Sequence, residues 1–104
     1  MTRSYKRTYG LLIAQAHAKG LRVITVKDRK TRDFVGMNSL AAKSFGLKMK
    51  PRTVWIDGNM NLKEKCHTLK HELVEYSLMR KGMKYWPAHN IALKEERKLL
   101  QRGS

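Results

Sequence analysis

The sequence predicts an α+β fold in which a small mixed β-sheet of about three strands packs against three to four helices. Three short runs are rich in β-branched and aromatic residues, and longer segments carry apolar residues at helical spacing. They follow the order helix, two strands, a variable piece, a strand and two helices. At 104 residues the chain fits one domain, 1–104, with residues 99–104 as a candidate tail.

The first half of the chain contains one predicted helix and two predicted strands. Residues 5–19 carry apolar residues at helical spacing, and Gly20 suits the end of a helix. Residues 21–26 are short and β-branched, which predicts a strand. Residues 33–37 form the predicted second strand, after a basic loop at 27–32.

The middle of the chain is less regular. Residues 38–46 predict either a short helix, capped by Asn38 or Ser39, or an irregular connection. A polar break containing Pro51 follows, and Thr53–Asp57 then predicts a strand because Thr, Val, Trp and Ile favour extended backbone.

One long helix, at residues 61–82, carries the candidate chemistry. Asn61 can cap its start, Glu64 stands at the capping-box position, and Gly82 suits its end. At about 100° per residue, the side chains divide between two opposite arcs, so one face is expected to pack and the other to carry ligands. The apolar arc contains Leu62, Cys66, Leu69, Leu73 and Tyr76, and the polar arc contains His67, His71 and Glu75.

Only two neighbouring ligands of the polar arc can share an ion, because His67 and Glu75 lie about 12 Å apart along the axis. The pair is therefore His67 with His71 or His71 with Glu75. Glu72 favours the second pair, because in His-Glu-x-x-His zinc peptidases the glutamate after the first ligand is the general base for a metal-activated water. Residues 71–75 then form a His-Glu-x-x-Glu variant.

A catalytic zinc site can use two histidines and one glutamate, so one more histidine is needed. His89 lies fourteen residues past Glu75, on a predicted last helix that opens near Pro87. We therefore predict one Zn²⁺ per chain held by His71, Glu75 and His89, with Glu72 as the catalytic base.

Several alternatives remain open from the residues alone. Glu95 could replace a histidine, although one histidine with two carboxylates is a less usual zinc set. Cys66 lies about 140° from His71 around the helix, which favours a buried apolar cysteine. Tyr85 could donate a hydrogen bond to an oxyanion or simply pack. The polar arc could also be only a solvated helix face.

The composition limits which binding partners and which cellular compartment we expect. The net charge is +15, with 23 Lys and Arg residues spread along the chain, so weak, non-specific and salt-sensitive nucleic-acid binding is expected. A basic nucleic-acid-binding protein is the alternative function. The single cysteine excludes an intramolecular disulfide, and no apolar run approaches the roughly 18 residues of a membrane span. We expect a cytoplasmic protein without a membrane partner, and the oligomeric state stays open.

The strand at 53–57, the following turn, the helix bearing His71-Glu72-Leu73-Val74-Glu75 and the last helix bearing His89 together resemble the catalytic half of gluzincin-type zincins. At this length the chain is similar to the minigluzincins, soluble metallopeptidases of thermophilic prokaryotes whose catalytic domains resemble those of membrane-embedded peptidases. The resemblance covers nearly the whole chain. It departs at Glu75, where the usual zincin motif has histidine.

This resemblance implies a zinc-dependent metallopeptidase that hydrolyses peptide or protein substrates. It implies a histidine as third ligand, which His89 matches, and a C-terminal segment, here residues 99–102, that keeps a zymogen latent. A zincin-like fold that binds zinc without catalysis is a further alternative. The resemblance also implies that the strand before the active helix borders the cleft and pairs with the substrate; its residues are Thr53, Val54, Trp55, Ile56 and Asp57.

Overall fold

The predicted order of helices and strands is present in the computed structural model, which describes residues 4–27 and 35–103 and the side chains as far as residue 98. The α+β prediction is confirmed, with four helices and one mixed three-stranded sheet in these ranges. The elements are α1 (Tyr5–Ala18), β1 (Arg22–Val26), β2 (Gly36–Asn38), α2 (Ser39–Ser44), β3 (Thr53–Asp57), α3 (Leu62–Arg80) and α4 (Tyr85–Gly103).

The sheet has the strand order β1-β3-β2. Strand β3 matches its predicted bounds and pairs in parallel with β1 and antiparallel with β2. Strand β1 begins one residue later than predicted, because the Leu21 N–H donates to Ala16 O at the end of α1. Strand β2 extends to Asn38, one residue further than predicted, and residues 33–34 of that prediction lie outside the described ranges.

The expectation that β3 borders the cleft and pairs with a substrate is wrong. Strand β3 is central, and its backbone hydrogen-bonding groups face β1 on one side and β2 on the other. A strand in that position has no open edge for a further chain. Within the described ranges the two outer strands are β1 and β2, and β2 is the one that lies against α3 near the predicted ligands.

The apolar core lies between the sheet, α1 and α3. Val54 and Ile56 of β3 are fully buried and meet the apolar arc of α3. The polar arc of α3, predicted to carry ligands, is buried as well as the apolar arc. Leu62 is the exception in the apolar arc: it is 38% exposed at the first residue of the helix. The other core residues are Leu12, Ala16, Leu21, Cys66, Leu69, Leu73 and Tyr76.

The local signals predicted at the two ends of α3 are present. The predicted capping box is present: the Glu64 N–H donates to Asn61 Oδ1 at 2.9 Å, and the Asn61 N–H donates to Glu64 Oε1 at 3.2 Å. Gly82 has φ of +107°, a conformation that favours glycine, and lets the chain reverse after the helix. Helix α4 then folds back along α3, and its backbone stays helical through the predicted tail as far as Gly103.

Within the described ranges, none of the helices combines the length and the apolar composition that crossing a bilayer requires.

Candidate metal centre

Three predicted ligands meet between α3 and α4. His71 Nε2 and His89 Nδ1 each lie 2.9 Å from Glu75 Oε2, and the two ring nitrogens are 3.1 Å apart. His71 and Glu75 are one turn apart on α3, while the reversal after Gly82 brings His89 over them. The structure therefore gathers the three predicted residues at one point.

The spacing and chemistry of these atoms suit a cation. Ligand atoms about 2.1 Å from a tetrahedral ion lie roughly 3.4 Å from one another, so the three atoms would separate by only a few tenths of an ångström. Two imidazole nitrogens and one carboxylate oxygen are ordinary metal ligands. The His71, Glu75 and His89 group could thus hold a metal ion.

Glu72 lies beside this group and is 6% exposed. The Asn38 side-chain amide donates one hydrogen bond to Glu72 Oε1 at 2.9 Å and one to Glu75 Oε1 at 3.0 Å. Asn38 Oδ1 accepts from the Ala41 N–H at 2.9 Å, so the predicted cap of α2 is confirmed and its other atom orients both carboxylates. Sequence reasoning missed this second role, because a partner 34 residues away leaves no local signal.

Gly36 of β2 lies directly over the other oxygen of Glu72. A Cβ atom at this position would come within 2.5 Å of Thr68 Cγ2 and 3.3 Å of Glu72 Oε2. The missing side chain therefore lets the backbone of β2 approach α3 beside Glu72 Oε2. From the sequence, an isolated glycine in a strand indicates that another segment approaches the backbone closely, but it does not show which segment.

Glu96 is a second residue that sequence reasoning missed. His71 Nδ1 lies 3.0 Å from Glu96 Oε1, the arrangement in which a carboxylate orients a metal-binding imidazole. The predicted alternative, Glu95, instead forms a 3.0 Å ion pair with Lys98 and is not part of the ligand group. The spacing carried a signal, because Glu96 lies seven residues, or two turns, after His89 and shares its face of α4, whereas Glu95 does not.

His67 and Cys66 lie away from the ligand group. His67 is 9% exposed, its Nε2 has no hydrogen-bond partner among the described residues, and its ring meets the edge of Tyr5 at a centroid distance of 6.4 Å. Burial lowers its pKa. Cys66 is fully buried in the core, and its thiol lies 3.3 Å from Tyr5 O. The described structure thus gathers the His71 and Glu75 pair, not the His67 and His71 pair, with His89.

The close packing of acids and imidazoles shifts their pKa values. Burial lowers the pKa of His71, but contacts with Glu75 and Glu96 and the charge of Glu72 outweigh it and raise the pKa to about 10. Burial and the charge of Glu75 raise the pKa of Glu72 to about 8, although His71 and Asn38 oppose the change. Without a cation, the site therefore retains protons at neutral pH.

An open cavity of about 360 Å³ gives access to the ligand atoms. Tyr85 stands at its wall, stacked on the His89 ring at 5.2 Å, with its hydroxyl 3.2 Å from His89 Nδ1. Burial and the charges of Glu75 and Glu72 raise the Tyr85 pKa to about 12, so the hydroxyl keeps its proton. Tyr85 thus packs and offers a hydrogen-bond donor at the same time. The other walls include Gly36, Met37, Thr68, Leu93 and Glu96.

Comparisons of the chain with protein-family models, with curated proteins and with solved structures find no match. The chemistry available to the protein is therefore inferred from these side chains themselves.

Proposed function

We propose that this protein is a zinc-dependent peptidase in which His71, Glu75 and His89 hold the ion and Glu72 is the general base. The observation that carries the proposal is the position of Glu72: it borders the three converging ligand atoms, lines the same open cavity and is not itself a ligand. Unlike Glu96, which contacts the His71 ring and would orient a ligand, Glu72 makes no hydrogen bond to a ligand imidazole within the described ranges and lines the cavity that a substrate would enter. The resemblance to minigluzincins supports the same reaction class.

When bound, the ion would polarise the scissile carbonyl and lower the pKa of a nearby water. The chain then has to move one proton. Glu72 Oε1 accepts from Asn38, and among the described residues no donor is found for Oε2, so Oε2 would accept the proton of the attacking water. The water oxygen bonds to the carbonyl carbon, the C–N bond breaks, and Glu72 returns the proton to the leaving amine.

The remaining residues of the site would orient the reacting groups. Glu96 holds the His71 ring through Nδ1, which leaves Nε2 for the ion. Tyr85 offers a protonated hydroxyl to the negative charge that develops on the carbonyl oxygen. Strand β2, at the sheet edge beside the cavity, replaces β3 as the strand with which an extended substrate would pair.

The deciding experiment compares wild-type protein with Glu72→Gln on an unstructured protein substrate after loading with Zn²⁺. Both proteins should retain one Zn²⁺ per chain by elemental analysis, because Glu72 is not a ligand. Cleavage by Glu72→Gln should fall by about 10² to 10⁴-fold, the usual contribution of a positioned acid or base. Glu95→Gln is the matched control, since that carboxylate faces Lys98 and should leave the rate unchanged.

The same assay has to distinguish an enzyme that is blocked by its own C-terminal segment from a protein that has no peptidase activity. The predicted plug at residues 99–102 falls on side chains outside the described ones, so chains ending at Lys98 are assayed beside the full chain. If the zinc-loaded shortened chain cleaves nothing, or if Glu72→Gln cleaves as fast as its parent, the peptidase proposal fails. A zinc-binding fold without catalysis then becomes the better account.

A further inference from the structure

Basic side chains collect around Tyr76, where α1 and α3 end and β3 begins. Two open grooves share Tyr76 as a wall residue, and together they form what we call the basic surface. Their volumes are about 370 and about 360 Å³. The cations that line them are Lys43, Lys48 and Arg52 in the first groove and Lys19, Arg80 and Lys81 in the second.

The acidic residues of the described ranges are elsewhere, and none lines either groove. Glu72, Glu75 and Glu96 belong to the metal centre. Glu64 closes the capping box at the opposite end of α3, and Asp57 accepts a hydrogen bond from the Asn59 N–H in the next turn. The net charge of +15 is therefore not neutralised locally at the basic surface.

Helix stability explains only part of this arrangement. Lys19, Arg80 and Lys81 follow or end helices, where cations offset the negative end of the helix dipole. Lys48 and Arg52 lie outside helices and have no such role. Arg52 also has φ of +54°, a conformation in which glycine would fit better. Arg52 therefore presents its charge to solvent from a backbone position that would suit glycine.

Exposed aromatic rings connect the basic surface with the mouth of the metal centre. Phe45, 48% exposed, lies between Lys43 and Lys48 in the chain and meets the edge of Tyr85 at 4.7 Å. Tyr85 in turn contacts Trp86, which is 64% exposed, at 4.9 Å. Exposed aromatic rings together with neighbouring cations are the combination that binds unpaired bases together with their phosphates.

We propose that the basic surface, extended by Phe45 and Trp86, binds single-stranded nucleic acid. Lys48, Arg52 and the neighbouring cations would contact phosphates, and the two exposed rings would stack on bases. A segment of Asp and Glu residues would satisfy the cations but has no flat group to stack on the rings, so the aromatic residues favour nucleic acid. The proposal does not depend on a metal in the neighbouring site.

The test is fluorescence anisotropy of the full chain with a labelled oligothymidine and a labelled oligouridine of about 12 nucleotides, within the usual site size of 4–16. Phe45→Ala and Trp86→Ala should each raise the Kd on the order of tenfold. Lys48→Gln and Arg52→Gly should each reduce the slope of log K against log salt by about 0.7. Glycine suits the backbone at position 52, so this variant should fold.

Matched controls locate the binding. Lys63→Gln removes an exposed cation at the far end of α3, and Leu11→Ala removes an exposed apolar side chain on α1, and neither should change the Kd. Kd values should be equal with Zn²⁺ and with a chelator, because this surface is separate from the metal centre.

If Lys63→Gln weakened binding as much as Lys48→Gln does, the proposal would be overturned in favour of diffuse charge. Tight binding of polyglutamate, unaffected by Phe45→Ala and Trp86→Ala, would overturn it in favour of an acidic protein partner.

Discussion

Helix α3 buries two opposite faces in two different ways. Leu69 and Leu73 on one face pack into the core with side chains that need no particular partner. His71, Glu72 and Glu75 on the other face are almost as deeply buried, but their polar atoms need Asn38, Glu96 and His89 as partners on other elements. Burial of the apolar face stabilises the fold. Burial of the polar face costs desolvation free energy, which its hydrogen bonds offset only in part.

The difference explains why the polar face is a candidate site. Two carboxylates share one amide donor, and two imidazole nitrogens share one carboxylate oxygen. Protons have to be retained to reduce the repulsion, as the raised pKa values of His71 and Glu72 indicate. Such an arrangement of buried charges does not stabilise a fold well. Its presence here therefore favours a functional role, in which a cation replaces the protons.

The largest effect on folding is expected from the apolar face. Leu69 is fully buried, so Leu69→Ala should lower the free energy of unfolding by about 2–5 kcal/mol, through lost burial and the cavity left behind. Chemical denaturation measures this change. Leu62→Ala is the control, because that side chain is 38% exposed and should cost about 0.5 kcal/mol or less. Equal losses at the two positions would contradict the division into two faces.

On the polar face, the largest expected effect is on metal binding. His71→Ala and His89→Ala should each weaken Zn²⁺ binding by more than about 100-fold, because losing a ligand costs more than losing the residue that orients it. His67→Ala should change the affinity little, since its ring lies against Tyr5 outside the ligand group. Competition with a chromogenic chelator gives the three affinities. Loss of binding in His67→Ala with full binding in Glu75→Ala would move the site to His67 and His71.

A smaller effect is expected at the residue that orients His71. Glu96→Gln should weaken Zn²⁺ binding by about 10 to 100-fold, because the His71 ring loses its charged partner at Nδ1. Glu95→Gln, one position away, should bind as the wild type does, since Glu95 pairs with Lys98. The same chelator competition measures both. If the two variants bound equally well, the contact between Glu96 and His71 would have no part in the site.

A separate effect, on folding rather than on metal affinity, is a dependence on pH. The folded pKa values of His71 and Glu72 are raised to about 10 and about 8, above their usual 6.5 and 4.5. The folded, metal-free chain therefore binds more protons than the unfolded chain across pH 6.5–8, and its free energy of unfolding should fall as the pH rises, by up to about 1.4 kcal/mol per unit for each proton. Denaturation with a chelator present measures this.

Zn²⁺ binding should show the opposite trend over the same interval. Binding displaces a proton from His71, so the affinity should increase by up to about tenfold per pH unit. Glu72→Gln removes one of the two titrating groups and should flatten the stability profile without abolishing the rise in affinity. A metal-free protein whose stability did not change between pH 6.5 and 8 would contradict the raised pKa values.

The sequence by itself determined what depends on neighbours in the chain. The capping box of Asn61 and Glu64, the turn at Gly82 and the strand at Thr53–Asp57 follow from contacts a few residues long. The pair His71 and Glu75 follows from helical spacing in the same way. His89 was found because two histidines and a carboxylate form a familiar ligand set, and the short link limited where the last helix could lie.

Only the tertiary structure decided the rest. The order β1-β3-β2 placed β3 in the centre of the sheet, because long-range pairing is not encoded in the composition of one strand. The contacts of Asn38 with Glu72 and Glu75 join residues more than 30 positions apart, and Gly36 depends on the distance between β2 and α3. The same long-range packing brings the cations of the basic surface together from distant parts of the chain. Short-range hydrogen bonds repeat along a chain and leave patterns, whereas a contact between distant elements arises once and leaves no pattern that identifies its partner.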